Sequence, residues 1–368
     1  MKWRTEVLVI GGGPAGLAAA IAARKKGFEV AVVDGAKPPI DKACGEGLMP
    51  HTIAALRDLG IEFHPPDGRA FRGLRFLDGG TEVEASFPGT IGIGVRRTVL
   101  HQKMVERAEE CGVALHWNAP VSGLTPNGAI VGGNAMNARW IIGADGIHSR
   151  VRRWSGLEAG SRRKARFACR RHYRVNSWTD CVEIYWGEKV QAYVTPLGPE
   201  ETCVVLVSAE PRVRFEKALN EFPRLAARLA DAQLSSAERG GFTATGTLSR
   251  VYRGNTALMG DASGSVDAIT GEGLCLSFRQ AIALAEALEA GKLEKYQSAH
   301  SQLARRPHFM SRLLLLLGRN VTLRQRTFKV LASDPGLFAR LLNLHMGKSS
   351  SLDLTSTGLR FGYQFLAI

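Results

Sequence analysis

No C-x-x-C pair occurs among the six cysteines of this 368-residue chain: Cys44, Cys111, Cys169, Cys181, Cys203 and Cys275 stand far apart. That scatter excludes a disulfide framework, a cysteine-built zinc site and a cysteine-held iron–sulfur cluster, and it predicts a reducing, cytoplasmic setting. The histidines show no H-x-x-x-H or comparable spacing, so no metal is expected. Long apolar runs are missing too. Leu313 to Leu317 is too short to cross a bilayer, and the stretch from Val7 to Ala23 is broken by three consecutive glycines and Pro14, which argues against an export leader. Acidic residues are the scarce charge, 34 against 48 Lys and Arg, for a formal net charge of +14. The basic excess is not gathered into one arm, and no helix-turn-helix, finger or aromatic RNA-binding pattern accompanies it. Nucleic acid is therefore not expected, and anionic ligands or an acidic membrane face account better for the charge.

What the chain does have is glycine, 41 residues of it, and an apolar share of 45% that supplies a sizeable core. The apolar strand Val7-Leu8-Val9-Ile10 runs into Gly11-Gly12-Gly13-Pro14-Ala15-Gly16, with glycines at the spacing G-x-G-x-x-G. Gly11 allows the tight turn, Gly13 removes a side chain that would block a pyrophosphate, and Gly16 permits close helix–strand packing. The helix predicted from Pro14 to Arg24 turns unpaired N–H groups and its positive dipole end toward the phosphates. A second strand, Phe28 to Val33, closes at Asp34, where a carboxylate suits a ribose diol and disfavours a 2′-phosphate, so this loop is not expected to hold NADP.

Further elements read as a helix over Thr52 to Leu59, short strands over Phe71 to Phe87, a helix over Arg97 to Cys111 and a strand ending in Trp140-Ile141-Ile142. Then come strands Phe167 to Val175, Cys181 to Trp186, Gln191 to Val194 and Thr202 to Val207, a candidate antiparallel sheet walling a substrate pocket. Helical segments follow over Arg214 to Asn220 and Phe222 to Ala232, and consecutive helices from Tyr296 to about Met346.

Two later motifs narrow the ligand. Gly143-Ala144-Asp145-Gly146, followed by Ser149, Val151 and Arg152, ends one apolar strand. Leu258-Met259-Gly260-Asp261-Ala262-Ser263-Gly264 ends another and leads to Thr270-Gly271-Glu272-Gly273-Leu274 and a long helix, whose N-terminus near Gly271 suits negative charge. With these in order, residues 4–300 resemble the superfamily that joins aromatic-ring hydroxylases of the para-hydroxybenzoate hydroxylase type with geranylgeranyl reductases. The resemblance implies FAD: Asp261 on the ribityl chain, Asp145-Gly146 supporting the flavin, and Arg97 to Leu100 as the R-x-x-L contact. The fold implied is α/β, a Rossmann-like FAD-binding domain with a smaller mixed β-sheet substrate domain and a helical C-terminal tail. Residues 1–70, 95–160 and 245–300 are assigned to the first, 71–94 and 161–244 to the second, and 301–368 to the tail.

The segment Cys44-Gly45-Glu46-Gly47 resembles the C-G-E-G loop beside the isoalloxazine ring in geranylgeranyl reductase relatives. The Y-x-W-x-F-P sequence of those reductases is replaced by Tyr193-Val194-Thr195-Pro196, and the W-x-W-x-I-P of flavin halogenases is absent. Gly92 to His101 and the helical tail look more like monooxygenases. The sequence thus ranks hydroxylation of a hydrophobic phenolic or polyketide-type substrate through a flavin C4a-hydroperoxide first, and reduction of prenyl or lipid double bonds second, with Cys44 and Glu46 as acid candidates. NADPH or NADH serves as a transient reductant, since no second glycine loop exists. His51, His148 and His172 have no spaced partner and are assigned no role. Arginines interleaved with leucines in the tail are expected to form a helical cap with a solvated basic face, or to touch the inner membrane surface.

Overall fold

Alternation along the strand Trp3–Ile10 decides how the first sheet packs. Val7 and Val9 turn to one face, Leu8 and Ile10 to the other, and all four are buried, as the two-residue period of a strand demands. A computed structural model describes residues 3–158, 164–211, 214–347 and 351–367; the expected boundary at residues 160–161 lies outside them. The first sheet runs, in space, Tyr252–Arg253, Thr256–Leu258, Asn134–Gly143, Trp3–Ile10, Val30–Val33, Ala114–His116. From Thr256–Leu258 onward every neighbouring pair is parallel. One face packs on α1 (Pro14–Lys25), α2 (Pro50–Asp58), α3 (Arg97–Glu110) and, much later in the chain, α7 (Gly273–Glu289). The other packs on the hairpin of Gly128–Val131 with the start of Asn134–Gly143, beside the short α4 (Arg150–Trp154). Buried on both sides, these strands are near-continuous apolar runs.

The second sheet orders Gly264–Ser265, Arg239–Thr247, Lys164–Arg174, Glu201–Ser208, Val190–Gly198, Cys181–Trp186, Gly73–Asp78, Thr81–Ser86. It is antiparallel except where Cys181–Trp186 meets Gly73–Asp78. Arg239–Thr247 is a strand that the sequence reading left unassigned, because Gly240, Gly241 and Gly246 dilute its β-propensity. One face carries α5 (Phe215–Leu219) and α6 (Pro223–Leu229) through Phe215, Phe222, Leu225 and Leu229. The opposite face, through Val182, Ile184 and Trp186, meets the tail helices. These are α8 (Leu293–Arg319), α9 (Val321–Ser333), α10 (Pro335–Met346) and α11 (Ser351–Ala367). Arg324 of α9 is buried and bonded to Asp78 at 2.8 Å, which ties the tail to the Gly73–Ser86 hairpin. A third, small sheet joins Gly47–Leu48, Gly92–Gly94 and Arg69–Phe71 at the junction. The fold is α/β, as the motif order implied.

Candidate active site

Three glycines of the first loop, Gly11, Gly12 and Gly16, are fixed by protein, Gly12 by the Trp117 ring 2.3 Å from an added Cβ, and Gly13 by empty space. A Cβ at Gly11, whose φ is +112°, would stand 2.4 Å from the Ala144 carbonyl oxygen, and one at Gly16 would stand 1.8 Å from that of Gly11. At Gly13 it would meet nothing within 4 Å. That space belongs to a cavity of about 1220 Å³, and every residue expected at the cofactor lines it except Gly16 and Gly260, which act through backbone turns and packing. Gly146, Gly271 and Gly273 likewise have no protein atom within 4 Å of an added Cβ.

Polar groups are distributed along the same lobe. No side chain caps the N-terminus of α1. Asp34 accepts from the backbone N–H groups of Gly12 at 2.6 Å and Ala36 at 2.7 Å, so it shapes the turn as well as bordering the cavity. His101 lies behind the loop with Nε2 2.8 Å from the Gly12 carbonyl, and burial lowers its pKa below 6.5. Arg97 has a buried Nε with no protein partner. Asp145 caps α4, accepting from Ser149 Oγ and from the N–H groups of Arg150 and Val151, and Asp145 and Gly146 both line the cavity. Asp261 caps no helix. It is partly exposed, 3.5 Å from Lys42 Nζ, free to accept hydroxyl donors. The α7 helix begins at Gly273, two residues later than expected, because Gly271 takes a left-handed φ of +67° and closes a separate turn. An open pyrophosphate space at a bare helix N-terminus, an orphaned Arg97 N–H and a partly exposed Asp261 paired with Lys42 together fit FAD.

Glu46, expected as an acid candidate, is committed elsewhere. Its side chain is fully buried and its carboxylate takes Arg97 N at 2.8 Å, Arg170 Nη1 at 3.1 Å and His172 Nε2 at 2.6 Å. Arg170 also holds Asp41 at 2.8 Å, and Thr195 Oγ1 donates to the Gly45 carbonyl at 2.7 Å. The network clamps the Cys44–Gly47 loop onto the second sheet, while Cys44, half-buried, lines the cavity and its Sγ accepts from the Glu46 N–H at 3.4 Å. Glu46→Ala takes one of two carboxylates from the buried Arg170 guanidinium and leaves His172 Nε2 without its partner, and we expect a loss of about 3–5 kcal/mol in urea unfolding.

The histidines do have partners, across long sequence distances. His172 joins Glu46, and His148 packs on Phe242 with ring centroids 4.7 Å apart. His51 Nε2 lies 2.7 Å from Glu272 Oε1, and His345 Nε2 lies 3.1 Å from the same oxygen and 3.0 Å from the Thr270 carbonyl. Burial works to raise the Glu272 pKa, but the bonds from His345 and His51 outweigh it and bring it down to about 2. Burial opposes charge on His345 too, yet the bond to Glu272 and its charge raise the imidazole above 6.5. His345 lines the cavity and its Nδ1 has no partner. Cys275 and Cys203 sit beside these two carboxylate clusters, but burial pushes the Cys275 thiol up to about 12 and raises Cys203 well above 9; in each cluster the carboxylate is hydrogen-bonded to a histidine Nε2. Beyond His345 the cavity continues as an apolar lobe between the second sheet and α8 to α10, past Phe71, Ile184, Leu317, Phe328 and Leu331.

Residues 4–299 match the family model described as FAD binding domain. A menaquinone reductase of Mycolicibacterium smegmatis is 31% identical over 81% of this chain and 80% of its own length. Digeranylgeranylglycerophospholipid reductase 1 of Methanothermobacter thermautotrophicus is 30% identical over 74% of each chain. Among solved structures, p-nitrophenol 4-monooxygenase of Pseudomonas putida superposes with a TM-score of 0.79 over 95% of this chain and 99% of its own, at 17% identity, a likeness of fold.

Proposed function

The chain belongs to the FAD binding domain family and is an FAD-dependent oxidoreductase, and we propose that it reduces double bonds of a prenyl or lipid substrate with electrons from NADPH or NADH. One observation carries this reading: a glycine-lined polar lobe runs into a long apolar lobe, and a histidine held by a buried carboxylate stands where they join. Bound FAD would supply two-electron, hydride-level chemistry between a nicotinamide and the substrate. The protein's own part is to hold, orient and keep water out. The bare N-terminus of α1 and Gly13 would receive the pyrophosphate, Asp261 and Lys42 the ribityl chain, and Arg97 the cofactor's acceptor atoms. The Gly273 turn of α7 favours negative charge beside it. A chain of methyl-branched isoprene units suits walls of Phe, Leu and Ile, from which it displaces water. His345 holds a proton at its joining position, the proton that a saturated double bond needs on its second carbon. The two reductase relatives, at 30% and 31% identity over most of the chain, are consistent with this.

Hydroxylation of a phenolic or polyketide-type ring is the second reading. The observation in its favour is the same His345, since a cationic imidazole also pairs with a phenolate oxygen. Mass spectrometry separates the two: with purified flavoprotein, NADPH and prenyl or phenolic substrates, we expect a gain of two hydrogens without air. A gain of one oxygen that vanishes under nitrogen overturns reduction and establishes hydroxylation.

A further inference from the structure

The tail helices carry an apolar surface that the active site does not use up. On α8, Phe309, Leu313 and Leu316 are 61%, 39% and 50% exposed, and on α11, Leu359, Tyr363 and Leu366 are 71%, 78% and 85% exposed. Both triplets have spacings of four and three, which align them as a stripe on one helix face. Exposed leucines scattered singly are ordinary; two stripes of three are not. The inner face of α11 is accounted for, with Phe361 and Phe365 packed on the core of the tail.

Two further facts identify what covers the stripes. Leu313 and Leu316 are at once exposed and part of the cavity wall, and Met310 and Phe361 line it beside them. The apolar lobe therefore opens through this surface. From α8 through α10 the charge is one-sided: between residues 301 and 347 the only acid is Asp334, which is buried, while Arg305, Arg312, Arg319, Arg326 and Lys329 are exposed; α11 carries one exposed acid, Asp353, and one base, Arg360. A second copy of the chain on a two-fold axis would set these like charges against each other. An anionic bilayer complements them.

We propose that α8 and α11 dock the protein on an anionic lipid bilayer, with the two stripes in the headgroup–acyl boundary, the arginines on lipid phosphates and the cavity mouth facing the membrane. No helix among the described residues is long and apolar enough to span it, so the contact is peripheral. Delivery of substrate from the bilayer rests on the lipid-substrate reading above; the docking does not.

The test is flotation of the FAD-loaded full chain with phosphatidylcholine vesicles and with vesicles in which about a third of the lipid is phosphatidylglycerol. We expect roughly ten-fold greater recovery on the anionic vesicles, falling severalfold when salt shortens the screening length from about 10 Å to about 3 Å. The combined Phe309→Ser, Leu359→Ser and Tyr363→Ser variant changes no residue of the cavity wall. It is expected to lose recovery while keeping its flavin absorbance and its turnover of substrate supplied in detergent micelles. Equal recovery on neutral and anionic vesicles overturns the proposal, as does none on either. So does a dimer by light scattering that the triple variant converts to monomer. If the product gains oxygen rather than hydrogen, the reductase reading fails and the vesicle result stands apart from it.

Discussion

Gly13→Val gives a folded protein that carries no flavin. Gly13 is the N-cap of α1 with φ −70° and ψ 175°, a conformation a β-branched residue adopts freely. An added side chain meets no protein atom within 4 Å, so thermal unfolding of the flavin-free protein should shift by less than about 0.5 kcal/mol. The same side chain occupies the approach to the α1 N-terminus, where phosphate oxygens would otherwise replace water on the unpaired N–H groups. We expect bound FAD, measured by absorbance after purification, to fall by about two orders of magnitude, the equivalent of about 2.7 kcal/mol. Gly16→Ala behaves in the opposite way. Its Cβ would stand 1.8 Å from the Gly11 carbonyl oxygen, so the strand–helix junction must shift, at a cost of about 1–3 kcal/mol or more, and stability falls before any question of cofactor arises. Wild-type flavin content in a well-folded Gly13→Val protein would move the pyrophosphate elsewhere.

The contrast between these glycines marks where the sequence is legible. The strand, turn and helix from Val7 to Arg24 are encoded by neighbours in the chain: β-branched alternation, a Pro at the first helical turn, a run of alanines. The structure returns the helix one residue longer, Pro14–Lys25, and the strand with the same end but a start at Trp3. The same holds for Cys181–Trp186, whose expected and observed limits coincide. Side chains whose roles come from distant partners are a different matter. Glu46 stands in a motif that suggested an acid, and only the fold reveals Arg170 and His172, more than a hundred residues on, closing over it. His51, Glu272 and His345 lie 221 residues apart in the first pair and come from three separate segments; no local spacing announces them. The one available signal was Glu272 itself, a carboxylate between two glycines ahead of an apolar helix, where burial demands a cationic partner. The strand Arg239–Thr247 was hidden for a related reason. Its glycines look like a loop, but Gly241 is needed because a Cβ there would approach Ala43 to 3.0 Å, at the back of the Cys44 loop.

If His345 supplies the proton, turnover falls as pH rises through its pKa, which lies above 6.5. Glu272 holds that value up from one side. Arg306, on α8, acts against it, and the ring of His51, 6.4 Å away, shares the same carboxylate. His345→Gln keeps an amide that can donate to Glu272 but carries no transferable charge. We expect kcat to drop by about 10²–10³-fold, the usual worth of a positioned acid, and the alkaline limb of the pH–rate profile to disappear. Glu272→Gln leaves His345 in place without its counter-charge, so the limb should survive but move to lower pH. A purely structural histidine would change the rate in the first variant without changing the shape of either profile. Stability offers a readout that needs no substrate. The raised His345 pKa contributes stability that is complete below 6.5 and lost as pH climbs through the folded value. The Glu272 pKa, down to about 2 from 4.5, contributes stability that is present above 4.5 and lost as pH falls toward 2. The pair is therefore worth most between these limits, and the unfolding midpoint of the wild type should decline on the alkaline side more steeply than that of His345→Gln. Parallel declines would mean that His345 is not the group that titrates, and the proton would have to come from the Cys44 side of the cavity.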